Sequence, residues 1–166
     1  VIALVGVNPQ RIEYNEVYTE LAATATDNYD DDIALTATIS IDASAAVAGS
    51  SDGNTFGTLG TYPVYYNVTD ANNNIADTAT RDVIVEDTTK PLLTLIDDNP
   101  QIIEIIGGNT AVYVELGATA SDEYDVDVDD TDIVIDASAV TNNLDTVGCY
   151  PVTYTVTDAS GNTRIR

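Results

Sequence analysis

This chain writes one long phrase twice, and that repetition limits its possible folds more than any other feature. "VYTELAATATDNYDDD" (Val17–Asp32) returns as "VYVELGATASDEYDVD" (Val112–Asp127). "ISIDASAAV" from Ile39 returns as "IVIDASAV" from Ile133, and "TYPVYYNVTDANNN" (Thr61–Asn74) returns as "CYPVTYTVTDASGN" (Cys149–Asn162). "NPQ" also recurs, at Asn8 and Asn99. The order is kept and the period is roughly 90 residues, a length that suits a small domain. The chain therefore reads as a tandem pair of one module, with residues 1–87 as the first domain and 88–166 as the second.

Each module reads as strands. In "YPVYYNV", Tyr62, Val64, Tyr66 and Val68 share one face, while Pro63, Tyr65 and Asn67 share the other. Tyr150, Val152, Tyr154 and Val156 repeat that face in the second module. Ile39 with Ile41, and Ile133 with Ile135, are expected to mark a further inward face. Val, Ile, Thr and Tyr fill the runs, and Asp, Asn and Gly cluster between them. No window supports a long amphipathic helix. Short strands with regular turn signals predict an all-β, antiparallel sandwich in each module. Cys149 aligns with Thr61, so it is expected to pack in a strand. With no histidine to act as its base, a nucleophilic role is disfavoured.

Once strands are assigned, the motifs resemble a known family. The pattern Gly-x-Tyr-x-Val-x-Tyr-x-Val-Thr-Asp-x-x-x-Asn is carried by Gly60, Tyr62, Val64, Tyr66, Val68, Thr69, Asp70 and Asn74. It recurs at Gly148, Tyr150, Val152, Tyr154, Val156, Thr157, Asp158 and Asn162. This is similar to bacterial surface immunoglobulin-like repeats and their hyalin-repeat relatives, whose sandwiches run to ~100 residues. The segment Asp87–Pro91 also resembles the junction between such repeats. The resemblance implies two tandem immunoglobulin-like β-sandwiches, used as extracellular spacer or adhesion modules in arrays on cell-surface and secreted proteins. The second module departs from the pattern. After Asn74 the first runs on through "IADTATRDVIVED", whereas after Asn162 only "TRIR" follows, so the second lacks most of its last strand. Truncation within a longer array and donation of the strand by a neighbouring subunit are both compatible with that open edge. The absence of a signal peptide or initiator methionine is consistent with a piece of something longer.

The acids follow from this topology. The net charge is -23, from 28 acids against 5 bases. Like charge repels nucleic acid and anionic membrane surfaces, and no apolar run reaches the roughly 20 residues that span a bilayer. Cations are the natural partners. In a sandwich of this kind the loop after the second strand and the loop after the sixth lie at the pole where the chain enters. Glu86, Asp87, Asp122, Asp125, Asp127 and Asp158 are therefore expected to form an interdomain calcium site. Asp27, Asp30, Asp32 and Asp70 would form the equivalent pole of the first module. Calcium takes 6 to 8 oxygen ligands, and a chain without histidine or a cysteine pair is a poor zinc binder. The competing expectation is a set of solvated acids on exposed loops. "DVDVDD" (Asp125–Asp130) lacks the glycine at the sixth place of an EF-hand loop.

No histidine triad, glycine-rich phosphate loop or basic cluster is present, so catalysis is not expected. The sequence predicts a structural or adhesive module of a cell-surface, surface-layer or fibre protein, stiffened by Ca2+. Its partners would be neighbouring repeats of the same or a like chain, including self-assembly by strand donation. The alternative is a carbohydrate- or protein-binding accessory module of a secreted protein, for which exposed Tyr14, Tyr29 and Tyr65 would be the candidates.

Overall fold

The computed structural model describes residues 1–29, 39–44, 55–97, 99–106 and 111–166. Contacts divide the chain into two compact units, Val1–Asp87 and Thr88–Arg166. Both are built from short strands, and among the described residues no helix is long and apolar enough to cross a membrane.

The first unit contains β1 (Ile2–Leu4), β2 (Gln10–Glu13), β3 (Ala23–Ala25), β4 (Ser40–Asp42), β5 (Gly60–Asn67) and β6 (Ala79–Glu86). β1 pairs with β3 to make a small antiparallel sheet, and the larger sheet runs β2-β6-β5-β4. The long ladder between β5 and β6 runs from Tyr66 opposite Ala79 to Gly60 opposite Val85. β2 joins the other edge of β6 in parallel, with Gln10 opposite Val83 and Glu13 opposite Glu86. Alternation along the strands puts Val64 and Tyr66 of β5 and Val83 and Val85 of β6 into one core with Ile12, Tyr18, Ala23 and Phe56. Phe56 lies edge-on to Tyr18, with centroids 6.0 Å apart. At the corner before β5, the Tyr62 hydroxyl donates to the Thr58 carbonyl at 2.9 Å.

The second unit repeats this plan with β7 (Leu92–Leu95), β8 (Ala118–Ser121), β9 (Val134–Asp136), β10 (Thr153–Thr157) and β11 (Thr163–Ile165). One turn of helix, α1 (Ser138–Thr141), follows β9. The registers match those of the first unit. Leu93 faces Ala120 as Ile2 faces Ala25, and Ile135 faces Tyr154 as Ile41 faces Tyr66. Tyr150 repeats the tyrosine corner by donating to the Thr146 carbonyl at 3.2 Å. The core here is smaller: Leu93, Ala118, Val128, Tyr154 and Val156. Two immunoglobulin-like β-sandwich plans of the same kind therefore follow from the two copies of the sequence.

Two expectations need correction. Ile41 and Ile135 stand opposite buried tyrosines, yet they are 41% and 40% exposed. Among the described residues β4 and β9 are the outer strands of their sheets, so these side chains sit at the rim. Ile39 and Ile133, just before these strands, pack on the cores instead. Cys149 lies outside β10 and is exposed, so it is not packed in a strand.

The repeat also marks a strained position. Before β3 the backbone turns through a left-handed residue, Ala22 (φ 63°), and before β8 the same place is Gly117 (φ 84°). A Cβ disfavours this conformation by roughly 1–2 kcal/mol. A Cβ added at Gly117 would meet only the Ile96 side chain, at an ordinary 3.7 Å. Ala22→Gly is therefore expected to stabilise the first unit by about 1 kcal/mol in urea unfolding, and Gly117→Ala to destabilise the second by a similar amount.

Candidate metal centre

The acids of the "TASDEYDVDVDDTD" stretch fall into separate structural tasks. Asp129 caps the short helical turn Asp130–Asp132, accepting from the Thr131 amide at 2.7 Å. Asp132 returns the bond by accepting from the Asp129 amide at 3.0 Å. Asp130 accepts from the Ala120 amide in β8 at 2.8 Å. Hydrogen bonds from Thr131 hold the Asp129 carboxyl below its usual range. These three acids are used by the backbone around them.

Asp122 is arranged differently. Its Oδ1 accepts from the amides of Tyr124 and Asp125, each at 2.9 Å, which folds the loop tightly around the carboxylate. Its Oδ2 is buried from solvent and has no hydrogen-bond partner. Asp125 ties this loop to the one between β10 and β11, because its Oδ2 accepts from the Ala159 amide at 2.8 Å. In that second loop Asp158 is 6% exposed. It accepts from the Asn162 amide at 2.8 Å and from the Asn162 side chain at 3.0 Å. Gly161, at φ 88°, closes the turn by donating to the Asp158 carbonyl at 3.1 Å.

Asp87, the residue that leads into Thr88, is 7% exposed. One carboxylate oxygen from each of Asp87, Asp122 and Asp158 lies within 4.8 Å of the others. Three carboxylates at this separation repel by about 3 kcal/mol per pair at an effective dielectric of about 20.

The other residues expected at this site are placed elsewhere. Glu86 ends β6 and directs its carboxylate to Arg11 on the neighbouring β2. Asp125 contributes its loop-to-loop bond beside the group. Asp127 is exposed and donates its amide to Asp125 Oδ1 at 3.3 Å. In the first unit, Asp70 repeats the local geometry of Asp158, accepting from the Asn74 amide and side chain, each at 2.7 Å. Those bonds hold its carboxyl below the usual range. Asp27 accepts from the Tyr29 amide at 2.9 Å. Asp30 and Asp32 lie outside the described residues.

Sequence reasoning missed a second polar node, in the core. Glu20 accepts from the hydroxyls of Tyr18 and Tyr66 and from the Ala22 amide. Fully buried Arg81 places Nη1 3.8 Å from Glu20 and its guanidinium carbon 5.6 Å from the Tyr66 ring centre. Glu115 repeats the node with Tyr113, Tyr154 and the Gly117 amide. Burial pushes both glutamates up, but the donated hydrogen bonds outweigh it and their carboxyls sit below the ordinary range. Burial and the neighbouring carboxylate push the Tyr154 hydroxyl up to about 12, and Tyr18, Tyr66 and Tyr113 also upward. The available signal was the repeated Tyr-x-Glu in "VYTEL" and "VYVEL", but alternation alone gives no reason to put a glutamate inward.

Tandem small sandwiches with acidic polar loops define a class of repeated β-modules, and the comparisons give the family. A family model described as "Bacterial surface protein, Ig-like domain" matches residues 2–85, and the chain belongs to that family, which is typically non-enzymatic. The chain is 35% identical over 104 residues to an uncharacterized 81.3 kDa protein of Acholeplasma phage L2. That match covers 63% of this chain and 14% of the phage protein. A crystal structure of a lipoprotein from Bacteroides thetaiotaomicron aligns with 100% of this chain and 77% of its own, at 18% identity and a TM-score of 0.39.

The lowered glutamates contribute to the response to acid, together with Asp70 and Asp129. A carboxyl whose folded pKa lies below its unfolded value contributes stability above the unfolded value, near 4.5, and loses it as pH falls through the folded value. The raised tyrosines act at the other limit, where stability is lost as pH rises above about 10. Urea midpoints should be flat between these limits and fall outside them. Glu20→Gln should flatten the acid limb for the first unit, and an unchanged limb would show that Glu20 does not set it.

Proposed function

We propose that this chain is a structural or adhesive segment of an extracellular bacterial surface array, with a calcium ion held by Asp87, Asp122 and Asp158. The observation that carries the reading is the convergence of one oxygen from each carboxylate within 4.8 Å. Two oxygens bound to one calcium at about 2.4 Å stand at most about 4.8 Å apart, so the spacing suits that ion. Asp122 Oδ2 supports it, as a buried acceptor without a donor is costly and a cation would supply its partner. Backbone carbonyls and water would complete the 6 to 8 ligands that calcium takes. Neither histidine nor a second cysteine is available to favour zinc.

The mechanism is mechanical. An ion shared by Asp87 and the two loops would join the residue leading into Thr88 to Asp122 and Asp158. The junction would then lose rotational freedom, and repeats in series would transmit extension rather than bend. Membership of the surface Ig-like family supports the surface setting.

Calcium titration with calorimetric melting tests this reading. At calcium about 100-fold above the dissociation constant, linkage adds about 2.7 kcal/mol. For a domain of this size that raises Tm by roughly 10–20 °C over chelator. Asp122→Asn should abolish most of the rise. Equal Tm in calcium and in chelator would overturn the calcium reading.

A further inference from the structure

We propose that the seam between β2 and β6 in the first unit is a clamp that resists extension of the chain, and that the Asn8 side chain is one of its rungs. The inference deepens the array reading, on which it rests for the source of the tension, and it does not depend on calcium.

Strand direction decides how tension is felt. β2 and β6 pair in parallel, from Gln10 opposite Val83 to Glu13 opposite Glu86. β2 is entered from the side of Val1, and β6 leads through Asp87 to Thr88. Tension along the chain therefore pulls β2 toward its first residue and β6 toward its last, and for parallel neighbours these directions are opposed. The rungs between the two strands are then stressed together, in shear. Between antiparallel strands the same tension would reach the bonds one at a time, from one end.

The seam extends beyond the strands themselves. Asn8 Nδ2 donates to the Thr80 carbonyl at 3.0 Å, and Asn8 Oδ1 accepts from the Asp82 amide at 3.0 Å. These are the two bonds that a ladder residue opposite Arg81 would make with its own backbone, so the carboxamide continues the ladder ahead of β2. At the far end the Tyr14 amide donates to the Glu86 carbonyl at 2.9 Å. Arg11 and Glu86 add an ion pair across the two strands. The attachment thus runs from Asn8 to Tyr14 on one side and from Thr80 to Glu86 on the other.

Ile12 packs in the core with Val83 and Val85, which shields the inner face of the seam. Buried Arg81 of β6 ties down the chain just ahead of it, donating Nη2 to the Val5 carbonyl at 2.5 Å. β1 lies further ahead, in the other sheet, paired with β3 from Ile2 to Leu4. It can detach while the seam still holds.

Single-molecule extension of the full chain in chelator tests the clamp, with Cys149→Ser removing the native thiol and paired cysteines serving as handles. Handles at Val1→Cys and Thr88→Cys pull the seam in shear. Handles at Glu16→Cys and Thr88→Cys peel it open from the Tyr14–Glu86 end. All three positions are exposed. Unfolding of the first unit should need at least about twice the force in shear that it needs in peeling. Equal forces would overturn the clamp. Asn8→Ala should lower the force in shear and leave it unchanged in peeling, where Asn8 is the last rung reached. An equal fall in both geometries, or failure of Asn8→Ala to fold, would make Asn8 a general stabiliser and overturn its place in the clamp. The comparison of geometries in the chain with Asn8 intact decides the clamp in either case. These forces are read without calcium, so they stand or fall apart from the melting experiment that tests the calcium-stiffened array.

Discussion

The first unit depends on one buried guanidinium. Arg81 leaves the large sheet from β6 and donates Nη2 to the carbonyls of Val5 and Ala22, at 2.5 and 3.3 Å. Those carbonyls lie at the end of the small sheet, where the Val5 amide also meets the Ala22 carbonyl at 3.1 Å. The same cation lies over Tyr66 and beside Glu20. One side chain thus joins both layers of the sandwich and balances the carboxylate that orders the core tyrosines. Apolar side chains could fill that volume, but they could not give the Val5 and Ala22 carbonyls a donor or the carboxylate a neighbouring cation.

The second unit keeps the carboxylate and tyrosines of this arrangement. Among the described residues its core cluster is smaller, and Ile103 is less covered than Ile12, which is 7% exposed. Near-identical local sequences therefore end in different degrees of closure. Burial in a sandwich is a property of the layer that covers a residue, and sequence identity at the residue itself does not supply that layer.

Acidic residues show the same separation between local and distant causes. Asp129 and Asp132 cap a turn, and Asp136 accepts from the Ser138 amide at 3.0 Å at the start of α1. These roles depend on a neighbour two or three positions away, and Asx-type spacing makes them readable in a sequence. The group of Asp87, Asp122 and Asp158 joins residues 35 and 36 positions apart along the chain. The expected set named all three, but it also named Glu86, Asp125 and Asp127. Glu86 is one residue from Asp87, and strand alternation sends it to Arg11 instead.

By itself, the sequence determined the duplicated module, the all-β class, and the inward stripe of Tyr66, Val64, Tyr154 and Val156. Those features depend on a period of two and on bonds to nearby residues, so each segment encodes its own. Tertiary structure alone decided which acids meet, that Arg81 is buried, and that Ile41 and Ile135 lie on the outer strands among the described residues. Each of these depends on what a separate strand places across the sheet, and pairing between distant strands is not contained in the periodicity of either one.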